Sequence, residues 1–395
     1  MNPPLFLALA LLPAIAGGAE PVWQKHSVAL GESIRGIDVA DLDGNNHPDI
    51  IATGVTKVFA VLNPLSNSSP TVVADLKDGI LLYGAAIDVN GDGALDFAIA
   101  RETNPWIQLR TRRAAGTAGA TLADPLGPDF GLAWLQNQHH TRTALPVHPV
   151  MADMDGIHGL RIADLNRDGR ADIVANCIKG EFKDSLVWLE NTGSGFIRHF
   201  IAKNSADVRP HYLDAKDMNG DGRPDVLVAC SGGNTVTWWE HPATPEAPWR
   251  KHLIASNEKG ATNVYAADLN GDGNLDVVVS NGHGAGLAWF EGPGWKKHVI
   301  DASIADAHSL AIADFNQDGS TDIVTASFSQ KAVKWYANNG KGSFTTHVID
   351  AATQQEAYDI KIADLNRDGR PDFVLAGRAS NNAAWYLNLP LSEFK

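Results

Sequence analysis

Short apolar runs rich in β-branched residues recur along this chain, and each is broken by a polar turn. Leu310-Ala-Ile312-Ala is followed by a polar stretch opening at Asp314, and Ile-Val-Thr resumes the apolar pattern directly after Asp322. Runs of this length, bounded by Gly, Asn and Asp, read as strands and not as helices. A third type of run carries a Trp, at Trp188, Trp239, Trp289, Trp335 and Trp385. A fourth has an aromatic-x-x-His pattern, as in Phe196 to His199, Trp249 to His252, Trp295 to His298 and Phe344 to His347. The order inner strand, polar turn, second strand, Trp strand, His strand then repeats, predicting four strands per unit.

The polar turn has the form D-x-N-x-D-G-x-x-D and occurs seven times, starting at Asp41, Asp88, Asp164, Asp217, Asp268, Asp314 and Asp364. The starts are 47, 76, 53, 51, 46 and 50 residues apart. A repeat of that length built from strands predicts radial β-repeats, one propeller blade per copy. The two ends of the chain fit this reading. After the seventh turn only a second strand and a Trp strand follow, ending near Asn388, whereas Trp23 to His26 is a fourth-type strand with no blade before it. The first strand is therefore expected to complete the last blade and close the ring, which removes free sheet edges. The predicted fold is all-β, a seven-bladed β-propeller over 20–395. The long second interval places extra residues between the second and third strands of blade 2, at about 102–131, a length usual for functional or disordered loops.

The turn also has the chemistry of a cation loop. Oxygen side chains stand at positions one, three, five and nine. These are Asp41, Asp43, Asn45 and Asp49; Asp88, Asn90, Asp92 and Asp96; Asp164, Asn166, Asp168 and Asp172; and Asp217, Asn219, Asp221 and Asp225. Blades 5 to 7 supply Asp268, Asn270, Asp272 and Asp276; Asp314, Asn316, Asp318 and Asp322; and Asp364, Asn366, Asp368 and Asp372. Hard oxygens on a tight loop suit Ca²⁺, so up to seven structural calcium ions are expected. The loop is not an EF-hand, because strands flank it and no Glu stands at position twelve. In blade 1, Asn45 replaces the Asp of position five and Asn46 the Gly of position six. Asn tolerates the left-handed backbone region, which predicts a weaker first site and not an absent one.

These loops between strands resemble FG-GAP/VCBS repeats, the calcium-loop blades also found in the integrin α-subunit propeller, and the resemblance spans essentially all of 20–395. It implies the propeller fold and the calcium loops, and adhesion or binding as function. The Trp-x-x-His strands and the His before an inner strand are also similar to secreted propellers of sugar dehydratases and polysaccharide lyases.

Charge fits the cation reading. The formal net charge is −14; without the 21 loop aspartates the chain would stand near +7, and seven Ca²⁺ would bring the whole close to neutrality. Overall acidity disfavours nucleic acid as a partner. Residues 1–19 read as a signal peptide with an apolar core from Leu5 to Leu12, although no Lys or Arg precedes it. No stretch approaches the roughly 20 apolar residues of a membrane helix. A secreted or periplasmic monomer is expected. Cys177 and Cys230 stand at equivalent positions of adjacent blades. They are either a disulfide or two thiols held apart by the outward divergence of the blades.

Function is expected at the mouth opposite the loops. The residue six before each turn opens an inner strand there, giving Arg35, Leu82, His158, His211, Thr262, His308 and Tyr358. The turns after the second strands bring Arg101, His283 and Arg378 to the same face, and entry loops add Arg209 and Lys259. His158, His211, His308, Tyr358 and Arg35 form the candidate ligand or catalytic cluster. Three uses stay open: a His-based transition-metal site, acid–base chemistry on a carbohydrate, or recognition of an anionic ligand. The three histidines come from blades 3, 4 and 6, which are not all adjacent, and a wide channel would hold them apart. The principal expectation is binding of an extracellular glycan or protein, and the alternative is a lyase-like or dehydratase-like enzyme. His26, His199, His252, His298 and His347 recur once per blade beside an aromatic residue and are expected to be structural. No nucleophile elbow, phosphate loop or HExxH is present, and Gly282 to Gly286 reads as a turn.

Overall fold

The computed structural model describes residues 20–390, apart from 67, 77–79, 103–130, 139–143, 206–208, 245–246 and 352–356. Within them, seven antiparallel sheets of four strands each form the blades of a β-propeller. Blade 3 runs outward through Leu160–Ala163, Asp172–Cys177, Ser185–Asn191 and Phe196–Ala202. The second strands Asp172–Cys177, Asp225–Cys230, Asp322–Ser327 and Asp372–Gly377 are buried at every residue. Neighbouring blades cover both faces of each sheet, which is why these strands read as unbroken apolar runs and not as alternating ones.

Ring closure is as the sequence predicts. Val22–Ala29 pairs antiparallel with Asn382–Leu389, setting Trp23 opposite Asn388 and His26 opposite Trp385. Trp23 enters the apolar layer between blades 6 and 7, its ring 5.5 Å from Phe315 and 5.0 Å from Phe373 in edge-on contact. Trp23 is half-buried there, so side-chain packing anchors the first strand as well as its edge hydrogen bonds.

One register assignment changes. In blade 4 the Trp opposite the outer-strand His is Trp238, not Trp239: Trp238 faces His252 as Trp188 faces His199 and Trp289 faces His298. The two cysteines are buried and not joined by a disulfide. Cys177 packs in the layer between blades 2 and 3 and Cys230 in the next, between blades 3 and 4, so a whole blade separates them. Burial pushes the Cys177 thiol up to about 12. The expected signal peptide and nearly all of the blade 2 insertion lie outside the described residues. Among the described residues no helix is long and apolar enough to cross a membrane.

The channel between the inner strands is filled. Tyr83, Tyr212 and Asp359 all stand five residues before their turns, in blades 2, 4 and 7. Tyr212 donates its hydroxyl hydrogen bond to Asp359 Oδ1 across the axis at 3.0 Å, and the Tyr83 ring lies 5.0 Å from that of Tyr212 and 5.9 Å from that of Tyr358. Beside them, Arg161 pairs with Asp214 at 3.5 Å and Lys361 with Asp359 at 3.4 Å. This plug draws the mouth together, against the expectation of a wide channel.

Candidate functional site

At the loop end each turn is knitted by its own carboxylates. Asp217 accepts the N–H groups of Gly220 and Asp221 on Oδ1 and of Gly222 on Oδ2, while Asn219 accepts from Asp221, and Asp221 from Arg223. Position six is left-handed in all seven turns, with φ from 64° at Asn46 to 87° at Gly169 and Gly319. Asn46 therefore adopts the backbone that glycine supplies elsewhere.

The closing Asp has a task the motif did not reveal. Asp372 Oδ2 accepts the N–H of Leu365 and its Oδ1 that of Asn388, joining the turn to the end of the third strand. Asp49, Asp96, Asp172, Asp225, Asp276 and Asp322 make the same pair of bonds and are likewise buried. Burial pushes Asp322 and Asp372 up to about 7 and Asp96 and Asp225 up to about 6. Each carboxylate oxygen keeps a second lone pair, so these bonds leave room for a cation. In the first loop, oxygens of Asp41, Asp43 and Asp49 lie within 4.8 Å of one another. The all-oxygen donor set fits a hard divalent ion.

At the opposite mouth the candidate residues converge. Ring centroids are 5.2 Å apart for His158 and His211, 4.9 Å for His211 and His308, and 4.0 Å for the stacked pair His308 and Tyr358. Arg35 Cζ lies 5.9 Å from the Tyr358 ring centre, and Arg378 Cζ lies 5.3 Å from it. Leu82 and Thr262 take structural roles: Leu82 joins an apolar layer, and Thr262 Oγ1 accepts the N–H of Gly282 at 2.9 Å.

His283 is the member whose part the sequence understated. Blade 5 offers Thr262 at the mouth position, but its Gly282-His283-Gly284 turn brings an imidazole between those of blades 4 and 6. His283 Nε2 is 3.1 Å from His211 Nε2, and its ring is 5.3 Å from that of His308. Gly282 permits this, since a Cβ there would meet the His308 Cα and Thr262 Oγ1, both at 2.5 Å. Blades 4, 5 and 6 thus supply adjacent histidines, which corrects the expectation of a scattered set.

Their electrostatics keep them neutral. Burial, then repulsion from His308, His158 and His283, lowers the His211 pKa far below the usual imidazole value. Burial brings His308 down to about 3 and lowers His158, and partial desolvation beside the other rings also lowers His283, although its side chain is largely exposed. His158 Nδ1 lies 3.0 Å from the Gly156 carbonyl, which fixes the proton on that nitrogen and leaves Nε2 with a lone pair. A pocket of about 170 Å³ opens beside the cluster, lined by His158, His211, His283, Asp184 and Arg209. The Arg35 Nε–H is buried with no hydrogen-bond partner among the described residues. Arg101, expected on this face, is almost fully buried.

The outer histidines behave differently. His199, His252, His298 and His347 stack on Trp188, Trp238, Trp289 and Trp335 at 4.5, 4.0, 4.2 and 4.4 Å. The first three also pair with Glu190, Glu240 and Glu291 at 2.7 to 2.8 Å. The Trp covers one ring face, and in the first three the Glu holds the ring edge at Nε2, as fits a repeated structural element.

Comparison with known proteins agrees with the architecture. A family model described as an FG-GAP-like repeat matches residues 217–279, 268–325 and 314–375. No curated protein matches the chain. Among solved structures, a catalytically inactive virginiamycin B lyase from Staphylococcus aureus, determined with quinupristin, is similar over 93% of this chain and 100% of its own, with a TM-score of 0.57 and 10% identity. At that identity the likeness speaks for the fold alone. Three matched repeats across 217–375 and seven closed four-stranded blades together support an FG-GAP repeat β-propeller.

Proposed function

We propose that this is an exported, calcium-stabilised propeller that binds a carboxylate-bearing extracellular glycan at the mouth opposite its loops and acts on it by elimination. The observation that carries the reading is the convergence of His158, His211, His283, His308 and Tyr358 on one mouth flanked by Arg35 and Arg378. Residues meant only for recognition could be splayed over the rim, and these are packed ring against ring.

Elimination next to a sugar carboxylate needs a cation for the carboxylate, a base for the proton on the adjacent carbon, and an acid for the leaving oxygen. Arg35, with an unsatisfied buried N–H, and Arg378 supply the cationic charge. His158 is the base: its Nδ1–H is held by Gly156, and its neutral Nε2 sits in a ring that lines the pocket. Tyr358, stacked on His308 and facing both arginines, is placed to protonate the leaving group. Virginiamycin B lyase is a lyase on the same kind of fold, which makes the reaction class compatible with the scaffold without assigning it.

Calcium at the seven loops is part of the same proposal, supported by their oxygen donor sets. Export is supported by the apolar segment of residues 5–12.

The test is a screen of purified protein against acidic polysaccharides, following retention and the ultraviolet absorbance of unsaturated products. Product formed by the wild type and lost in Arg378→Ala and His158→Ala is the expected result. Retention without product reduces the reading to a binding module, and neither retention nor product on any acidic glycan overturns it.

A further inference from the structure

We propose that His211, His283 and His308 form a binding site for one divalent transition-metal ion of the zinc class, separate from the oxygen loops at the other end of the channel. The inference refines the mouth described above and rests on that reading only for its use, since the ligand set stands on geometry alone.

Nitrogen atoms of the three rings, one from each, lie within 4.8 Å of one another. The pair His211 Nε2 and His283 Nε2, at 3.1 Å, already has the spacing of two ligands on one ion. In a tetrahedral site with Zn–N bonds of about 2.0–2.1 Å, two ligating nitrogens stand about 3.3 Å apart. The other nitrogen pairs lie within 4.8 Å, so ligation draws the rings together by at most about 1.5 Å. His283, exposed on a turn between Gly282 and Gly284, is the ring freest to move.

Hydrogen bonding prepares the donors. His308 Nδ1 lies 3.2 Å from the Tyr358 carbonyl, so that nitrogen carries the proton and Nε2 keeps its lone pair. His308 Nε2 is buried with no partner among the described residues. A buried imidazole nitrogen without a partner is costly unless something fills it. A carbonyl on the far nitrogen of a ligating His is also the usual outer support of a metal site.

Three imidazoles leave one coordination position open, as in catalytic zinc sites. Two of the three rings line the pocket of about 170 Å³, together with His158 and Arg209. The open position is thus available to an oxygen of a carboxylate or of water. Imidazole donors select zinc, copper, nickel or iron over calcium, which keeps the two ends of the channel chemically distinct.

The experiment uses the full protein in excess Ca²⁺, so that the aspartate loops are saturated, after dialysis against a nitrogen-donor chelator that spares calcium. Titration with Co²⁺ should show one equivalent bound, with the visible absorption of tetrahedral cobalt, displaced by Zn²⁺. His283→Ala, on an exposed residue that leaves the fold intact, and His308→Ala should each weaken binding at least about 100-fold. His252→Ala, which removes an outer imidazole, should leave it unchanged. Absence of a stoichiometric site in the wild type, or wild-type affinity in His283→Ala, overturns the proposal. Retention on acidic polysaccharide is measured on the same metal-stripped sample. A protein that holds the glycan and no metal refutes this site alone, and one that holds metal but no acidic glycan refutes the glycan reading alone.

Discussion

At the loop end of the channel seven aspartates make the same pair of backbone bonds seven times. At the other end the seven equivalent positions hold five different residue types: Arg35, Leu82, three histidines, Thr262 and Tyr358. The repeated end solves a problem every blade shares, which is how to turn between two buried strands without orphaning N–H groups. The varied end solves a problem the molecule has once. Histidine shows the contrast within a single residue type. Outer histidines recur and stack on Trp, three of them paired with Glu, whereas the mouth histidines crowd ring against ring. Repetition marks the scaffold here, and departure from it marks the candidate site.

Calcium removal is the strongest way to break this comparison. A ligand present at a hundred times its dissociation constant stabilises by about 2.7 kcal/mol per site, so stripping seven loops with chelator should lower Tm by many degrees. An unchanged Tm would remove calcium from the account of the scaffold end.

A single closing aspartate comes next. Asp372→Ala leaves the buried N–H groups of Leu365 and Asn388 without acceptors, at about 1–3 kcal/mol each. Urea unfolding should register a loss of about 2–6 kcal/mol, with the mouth chemistry diminished only in proportion to unfolding. A loss below 1 kcal/mol would mean that the turn is held by other contacts.

At the mouth the order reverses. His283→Ala should change stability by no more than about 0.5 kcal/mol, as expected for an exposed side chain, yet abolish turnover on an identified ligand. A fall in Tm comparable to that of Asp372→Ala would make His283 a scaffold residue and erase the distinction between the two ends.

The smallest effect belongs to the outer strands. His347→Ala loses one stacked contact with Trp335, worth about 0.5–1.5 kcal/mol, and should leave retention and turnover intact. Lost turnover with an unchanged Tm would place function on the outer surface instead.

Much of this architecture was legible in the chain. The nine-residue turn counts the blades, and Trp23 to His26 foretells ring closure because its pattern matches outer strands found elsewhere. Counting six back from each turn gives the mouth residues, since a strand of fixed length must begin at the far face. Trp239 shows the limit of such counting when two tryptophans are adjacent, although the constant spacing of 21 residues from turn to Trp in blades 5 to 7 already favoured Trp238.

Sequence alone therefore determined the blade count, the closure and the face on which the candidate residues collect, because all three follow from local periodicity repeated along the chain. The tertiary structure alone decided that the mouth is narrow and that His283 completes it. Both depend on groups from different blades meeting across the axis: Tyr212 reaching Asp359, and a Gly282 turn of blade 5 closing on His308 of blade 6. Contacts between blades are set by the radius of the ring and by side-chain volume at its centre, and no period along one strand records them.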